Sequence, residues 1–161
     1  MDRVKLFIGT GFGIGLAPLA PGTFGSLVII ILLYFLVSYN LQVLLPAFVI
    51  LFSALTLWVS SWFEIRYGKD PAKLVMDEWA GQFLTFISIS FTGTFNTDII
   101  ILITGFVLFR LFDIWKPLGI RKLQNLSSGW GVLADDLLAG LYALVCLKTL
   151  IFVWSKFFGM I

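Results

Sequence analysis

Long apolar runs separated by short polar islands dominate this sequence. Two runs, residues 41–63 and 137–154, reach the roughly 20 residues that an upright helix needs to cross a bilayer. Three shorter runs, residues 27–39, 79–91 and 99–115, would need flanking residues or neighbouring helices to complete a crossing. The pattern therefore predicts an all-α, polytopic integral membrane bundle with about four to five membrane segments.

A stretch rich in glycine and proline precedes the first apolar run. It reads GTGFGIG at residues 9–15 and PGTFGS at residues 21–26. Dense glycines let backbone amides approach an anion, and Thr23 or Ser26 could cap the following helix. A turn without any ligand explains the stretch equally well. We expect an interfacial or re-entrant loop here, within one membrane-embedded domain that covers residues 1–161.

Composition agrees with a membrane protein and excludes several kinds of site. The chain is 60% hydrophobic and only 12% charged, against about a quarter in ordinary globular domains. Acids and bases alternate, so no basic stripe suggests a nucleic-acid partner. The chain has no histidine, and its one cysteine, Cys146, lies in an apolar run. Histidine-based triads, zinc sites and thiol nucleophiles are therefore excluded.

The basic residues predict an orientation in the membrane. If five segments alternate in direction, nine cations fall on one side, whereas the other side carries Lys156. The nine are Arg3, Lys5, Arg66, Lys69, Lys73, Arg110, Lys116, Arg121 and Lys122. By the positive-inside rule this side is cytoplasmic. Every acid except Asp98 lies on it, so the acidic islands could meet there.

Five carboxylates in three islands are the candidate chemistry: Asp77-Glu78, Asp113 and Asp135-Asp136. An acid at the centre of a membrane helix costs about 2.5–3.5 kcal/mol on insertion scales, so each needs a compensating partner. Nearby cations could neutralise them or hold an anionic substrate. A metal ion bound by the acids would do both. Oxygen ligands alone favour Mg²⁺, with Mn²⁺ or Ca²⁺ possible in its place.

Each island also has a structural explanation. Asp77 and Glu78 could complement a helix dipole. Arg110 and Asp113 are three residues apart and could form a salt bridge on one helix face. The Asp135-Asp136 pair points to a metal most strongly, because adjacent like charges repel unless a cation intervenes.

Two of the islands share a short pattern, Asp-x-x-Ala-Gly. It occurs at residues 77–81 and again at residues 136–140, each time at the start of an apolar run. On a helix the Asp and the Gly lie on one face. A glycine there permits close approach of another helix beneath the acid.

Taken together, four sets of residues resemble the phosphatidylglycerophosphatase A family, in the same order along the chain. They are Thr10-Gly11-Phe12-Gly13 with Pro21-Gly22-Thr23; Asp77-Glu78 with Gly81; Phe109-Arg110 with Asp113 and Lys116-Pro117; and Gly131 with Asp135-Asp136 and Ala139-Gly140. Gly119 stands where a second proline is common, and Ser128 where another glycine is common. These departures concern two loops and not the acids.

The resemblance implies a Mg²⁺-dependent phosphatase that converts phosphatidylglycerophosphate to phosphatidylglycerol plus phosphate in the bacterial cytoplasmic membrane. Five acids would bind metal and act in catalysis, with the site facing the cytoplasm: Asp77, Glu78, Asp113, Asp135 and Asp136. Five further residues would bind substrate: Arg110, Lys116, Arg121, Gly22 and Thr23. A metal-activated water would attack phosphorus; an aspartyl-phosphate formed on Asp77 or Asp113 is the variant mechanism.

Two other classes of protein fit the same residues. A small proton- or cation-coupled transporter would use the acids as its ion site, and these should then lie near the middle of the bilayer. A non-catalytic lipid-binding subunit would use the basic residues to grip anionic headgroups.

Overall fold

The computed structural model describes residues 2–127 and 129–158, and these contain helices and turns without a strand. Ser128, which stands where another glycine is common in the family that this chain resembles, lies outside the described residues. The α-helices are α1 Asp2–Gly9, α2 Pro21–Ser38, α3 Leu45–Tyr67, α4 Met76–Leu84, α5 Phe95–Trp115, α6 Ile120–Leu123 and α7 Gly129–Phe158. Short 3₁₀ turns lie at Ile14–Leu16 and Gln42–Leu44. The predicted all-α fold is confirmed.

Three helices in the described part of the chain are long and apolar enough to cross a membrane. They are Pro21–Ser38, Gln42–Tyr67 and Gly129–Phe157, with mean hydropathies of 2.0, 2.2 and 2.1. The expected four to five segments are therefore not confirmed. The run at residues 79–91 illustrates why, because its helix α4 has nine residues and ends at Leu84. At 1.5 Å per residue such a helix is about 13 Å long, too short for a hydrocarbon layer of about 30 Å.

The short helix α4 lies in the centre of the bundle. It packs most extensively against α3 and α7 and also contacts α2 and α5. Its large side chains, such as Phe83, join the main hydrophobic core together with Phe63 and Leu133. Asp77 and Glu78 lie in its first turn, as predicted. The packing around α4 therefore fixes the position of both acids.

Helices α4 and α7 approach each other through the repeated Asp-x-x-Ala-Gly pattern. A Cβ atom added at Gly81 would lie 2.5 Å from the backbone oxygen of Asp136, and one added at Gly140 would overlap the backbone oxygen of Gly81. The close approach that these two glycines permit is present beneath the acids. Backbone contact, without intervening side chains, therefore sets the distance between the two acid-bearing helices.

The glycine-rich N-terminal stretch folds back on itself and packs against the segment before α4. Thr10 Oγ1 donates to the backbone oxygen of Leu6 at 2.7 Å and accepts from the Gly13 amide at 3.1 Å. The Val75 amide donates to the Gly9 oxygen at 3.0 Å. These bonds favour the reading of a turn without a ligand. An interfacial or re-entrant position of this stretch is not confirmed.

Two local details differ from the sequence reading. Helix α2 begins after Ala20 with no side-chain cap, so capping by Thr23 or Ser26 is wrong; Pro21 instead presets the first helical turn. Helix α7 begins at Gly129, so Asp135 and Asp136 lie inside its second turn and not ahead of it.

Candidate functional site

Arg110 joins two of the predicted acidic islands. Its Nη1 lies 2.6 Å from Asp113 Oδ2 on the same helix face and 3.3 Å from Glu78 Oε1 on α4. The salt bridge that the spacing of Arg110 and Asp113 suggested is therefore present, and Arg110 also pairs with an acid 32 positions away in the sequence.

Lys116 joins the third island to the other two. It follows the last residue of α5 in the left-handed conformation, with φ of 47°. Its Nζ lies 2.5 Å from Asp135 Oδ2 on α7 and 4.0 Å from Asp113 Oδ1. The repulsion expected between the two adjacent aspartates is thus already reduced by a cation of the chain itself. Acids from α4, α5 and α7 meet around two basic side chains.

Asp77 and Asp136 complete the cluster from α4 and α7. Both are buried, with 5% and 3% of their surface exposed. Burial, together with the negative charges of Glu78 and Asp135, raises the pKa of Asp77 well above its usual value. These charges act on Asp77 because the side chains are close. All five predicted acids therefore contribute to one region.

Burial also governs the protonation of Glu78. It raises the pKa of Glu78 to about 8, although Arg110 opposes the shift. Lys116 shows the reverse balance: burial would lower its pKa, but the hydrogen bond to Asp135 and the charge of that acid raise it above its usual value. The raised pKa values mean that the ionised forms of these acids are destabilised in this poorly solvated place, and further cations would stabilise them.

Four carboxylate oxygens in the cluster are buried and have no hydrogen-bond partner among the described residues. They are Asp77 Oδ1, Glu78 Oε2, Asp135 Oδ1 and Asp136 Oδ2. An orphaned buried acceptor is costly, about 1–3 kcal/mol and more when charged. Carboxylate oxygens of this kind are suitable ligands for Mg²⁺. Within residues 2–127 and 129–158, however, no three acidic or cysteine side chains form a preformed metal site, so the side chains would have to close around an ion.

The predicted substrate-binding residues differ in their position. Gly22 faces the cluster: a Cβ atom there would overlap Glu78 Oε1. Thr23 is half-buried in the same turn, and its amide donates to Ala20 at 2.9 Å within the helix. Arg121 is exposed on α6 and forms no ion pair with an acid among the described residues. Arg110, Lys116 and Gly22 are thus the three that lie at the cluster.

One further acid at the cluster, Asp70 in the turn before α4, was not among the candidates predicted from the sequence. Its Oδ2 accepts a hydrogen bond from Gln124 Nε2 at 2.6 Å and lies 3.5 Å from Lys116 Nζ. Its negative charge also contributes to the raised pKa values of Asp77 and Glu78. In the sequence Asp70 follows Lys69 in a polar loop, a pattern typical of solvated surface, so only its place on the cation-rich side could have pointed to it.

The acids lie near one end of their helices. Asp77 and Glu78 are in the first turn of α4, Asp113 is in the last turn of α5, and Asp135 and Asp136 are in the second turn of α7. A transporter would be expected to hold its acids near the middle of long helices. The acids of this chain lie at or near helix ends instead.

Comparisons with known proteins identify the family to which this chain belongs. The family model described as phosphatidylglycerophosphatase A matches residues 7–151. A Bacteroides thetaiotaomicron protein named "Putative phosphatidylinositol-3-phosphatase" is 40% identical over 146 residues, covering 88% of this chain and 90% of the relative. Proteins named phosphatidylglycerophosphatase A from Escherichia coli and Haemophilus influenzae are 33% and 34% identical, covering 83% and 86% of this chain and 75% and 83% of their own lengths. No solved structure matches the chain.

Proposed function

Because this chain belongs to the phosphatidylglycerophosphatase A family of lipid phosphatases, we propose that it hydrolyses the terminal phosphomonoester of phosphatidylglycerophosphate, giving phosphatidylglycerol and phosphate. One observation carries this proposal: Glu78, Asp113 and Asp135, from three helices, meet at Arg110 and Lys116. Acids and cations in one place are what phosphoryl transfer requires, since catalysis rests on positioning and on neutralising phosphate charge. The acyl chains of the substrate would remain in the bilayer.

Mg²⁺ is the cofactor that we propose, with Mn²⁺ or Ca²⁺ able to take its place. The four unpartnered oxygens of Asp77, Glu78, Asp135 and Asp136 are the donors that would hold it, and Asp113 is the fifth acid within reach of the cluster. When bound, the ion would polarise the phosphate and lower the pKa of a coordinated water.

Arg110 and Lys116 would bind the phosphate of the substrate. Glu78 and Asp113 hold the Nη1 atom of Arg110, while its Nε is buried without a partner and could donate to a phosphate oxygen. Lys116 would add a point charge, and the planar guanidinium would fix the orientation of the phosphate. Water would form the new bond to phosphorus as the bond to the headgroup oxygen breaks, and that oxygen would take up a proton.

We also propose that the site faces the cytoplasm in the inner membrane of a bacterium. The support is the excess of Lys and Arg in the loops at the same end of the bundle, read by the positive-inside rule. An active site at this end would meet lipid headgroups of the inner leaflet.

A second substrate is suggested by the relative named as a phosphatidylinositol-3-phosphatase, which is 40% identical to this chain. Phosphatidylinositol 3-phosphate also carries a phosphomonoester on a lipid headgroup, so the same acids and cations would act on it. The two lipids differ in the alcohol that bears the phosphate.

Phosphate release by the purified protein in detergent micelles tests the proposal. Each lipid is supplied separately, with Mg²⁺ or with EDTA. We expect release from phosphatidylglycerophosphate that requires Mg²⁺. Faster release from phosphatidylinositol 3-phosphate would instead favour the second substrate. No release from either lipid would refute the function, and full activity in EDTA would refute the cofactor.

A further inference from the structure

Asp70 lies beside the acid cluster although it belongs to none of the three acidic islands. It occupies the left-handed backbone region, with φ of 54°, in the turn between α3 and α4. Its Oδ2 is bonded to Gln124 Nε2 at 2.6 Å and lies 3.5 Å from Lys116 Nζ. One carboxylate oxygen therefore connects the loop after α6 with a cation that we assign to phosphate binding.

Lys116 is held between acids on two sides. Its Nζ donates to the buried Asp135 at 2.5 Å, whereas Asp70 contacts it from the exposed side. A lysine ammonium is a point charge on a flexible four-carbon chain, so its position depends on its partners. With Asp135 alone, the ammonium would be drawn inward. Asp70 opposes that pull.

A cavity of about 400 Å³ adjoins Asp70 on the exposed side. Glu64, Lys69, Gln124 and Asn125 also line it. The Asp70 side chain is 46% exposed, whereas that of Asp135 is 1% exposed. Asp70 therefore stands at the boundary between the open cavity and the buried acids, and Lys116 extends across this boundary.

We propose that Asp70 is a positioning residue of the phosphatase site: fixed by Gln124, it holds the Lys116 ammonium at the water-facing edge of the acid cluster, where a phosphate can reach it. This inference rests on the proposed function, because it assigns Lys116 a phosphate ligand. Its physical basis is the shared contact of Gln124 and Lys116 with a single oxygen of Asp70.

The substitution Asp70→Asn tests the role of this charge. Asn keeps the size of the side chain and tolerates the left-handed backbone, so the change removes mainly the charge. We expect kcat to fall about 10- to 100-fold, as for other residues that orient a ligand from the second layer, with little change in KM. The melting temperature should stay close to that of the wild type, since exposed ion pairs contribute little to stability.

Glu64→Gln is the matched control. Glu64 lines the same cavity, and the substitution removes one negative charge without touching any of the three acids that contact Lys116. We expect its kcat to stay near that of the wild type. An equal loss in both variants would overturn the inference, because the effect would then reflect the charge of the cavity and not the position of Lys116.

A double-mutant cycle separates positioning from other roles. If Asp70 acts through Lys116, Asp70→Asn should cause no further loss of kcat in a Lys116→Met background. Independent, multiplied losses would overturn the inference.

Chemical labelling gives a readout that needs no turnover. Acetylation of Lys116, followed by peptide mass spectrometry, should be slower in Asp70→Asn than in the wild type or in Glu64→Gln, because the ammonium would then be drawn inward toward the buried Asp135 and be less accessible to the reagent. Equal labelling in all three proteins would overturn the inference even if the wild type is active. A wild type that releases no phosphate would instead refute the proposed function, whatever the labelling result.

Discussion

Two buried acidic regions at opposite ends of the bundle differ in how their oxygens are used. At one end, Asp98 is 5% exposed in the first turn of α5. Its Oδ1 accepts from the Thr92 amide at 2.8 Å and from Thr92 Oγ1 at 3.0 Å, and its Oδ2 accepts from the Gly93 amide at 3.0 Å. Every oxygen of this carboxylate has a donor, so Asp98 has a sufficient structural explanation.

The cluster at the other end is also buried, but several of its carboxylate oxygens have no hydrogen-bond partner among the described residues. Asp77, Glu78, Asp135 and Asp136 each keep one buried oxygen without a partner. Burial alone therefore does not distinguish a functional acid from a structural one in this protein. Under the proposed function the missing hydrogen-bond donors make this distinction, because an unpartnered buried oxygen would be stabilised by a bound ligand.

The sharpest test of this difference is Asp136→Asn, for which we expect the largest effect. Turnover should fall at least about 100-fold, the loss typical when one group that stabilises transition-state charge is removed. Stability should stay the same or rise, since the change removes a buried charge that lacks a hydrogen-bond partner on one oxygen. Phosphate release and thermal unfolding measure the two quantities. Near-normal turnover would remove Asp136 from the site.

The contact between Gly22 and Glu78 should give the next largest effect. In Gly22→Ala the new methyl group would overlap Glu78 Oε1 and push the carboxylate away. We expect turnover to fall about 10- to 100-fold, as when the support of a ligand is disturbed. Gly25→Ala is the control: it lies one turn further along the helix, where a Cβ would come no closer than 3.1 Å to Val75. Equal losses in both variants would point to helix packing instead.

The raised pKa of Glu78 predicts a pH effect of intermediate size. In the metal-free fold its pKa is about 8, against 4.5 ordinarily, so between these values the folded protein holds a proton that the unfolded chain has lost. The free energy of unfolding should therefore fall as pH rises from about 5 to 8. Melting temperatures without metal measure this slope, and Glu78→Gln should flatten it. A slope unchanged in that variant would contradict the assignment.

Added Mg²⁺ should reverse the trend if it binds the same acids. A metal ion competes with protons for carboxylates, so its stabilising effect should grow as pH rises toward 8. Stabilisation by Mg²⁺ that does not depend on pH would place the ion elsewhere.

Asp98→Asn should have the smallest effect on turnover. The change turns one acceptor into a donor and leaves one amide or hydroxyl of the turn unpaired, at a cost of about 1–3 kcal/mol in unfolding free energy. Activity at a temperature where the variant is folded should equal that of the wild type. Loss of activity without loss of stability would mean that acids with and without hydrogen-bond partners for all their oxygens do not differ in function.

Local features of the site could be read from the sequence. The helical start at Asp77 and Glu78, the pairing of Arg110 with Asp113 and the close approach at Gly81 and Gly140 all follow from spacings of one to four residues. Such spacings fix geometry because the helix is regular. The resemblance to a known family indicated that the three acidic islands belong to one site.

Longer-range features could not be read in this way. The contacts of Lys116 with Asp135 and of Gln124 with Asp70 depend on how two loops fold over the helix ends. The hydrophobic periodicity of a sequence does not predict such loop conformations. The length of α4 was also missed, because hydropathy does not separate a helix buried within protein from one that faces lipid.

The glycine contact between α4 and α7 has a consequence for how this protein can change over evolution. With peptide backbones touching at Gly81 and Gly140, the span between the two pairs of acids has no side chain whose size could alter it. Residues on the outer faces of the long helices could therefore change, for example to match a membrane of different thickness, without altering the spacing of the acids.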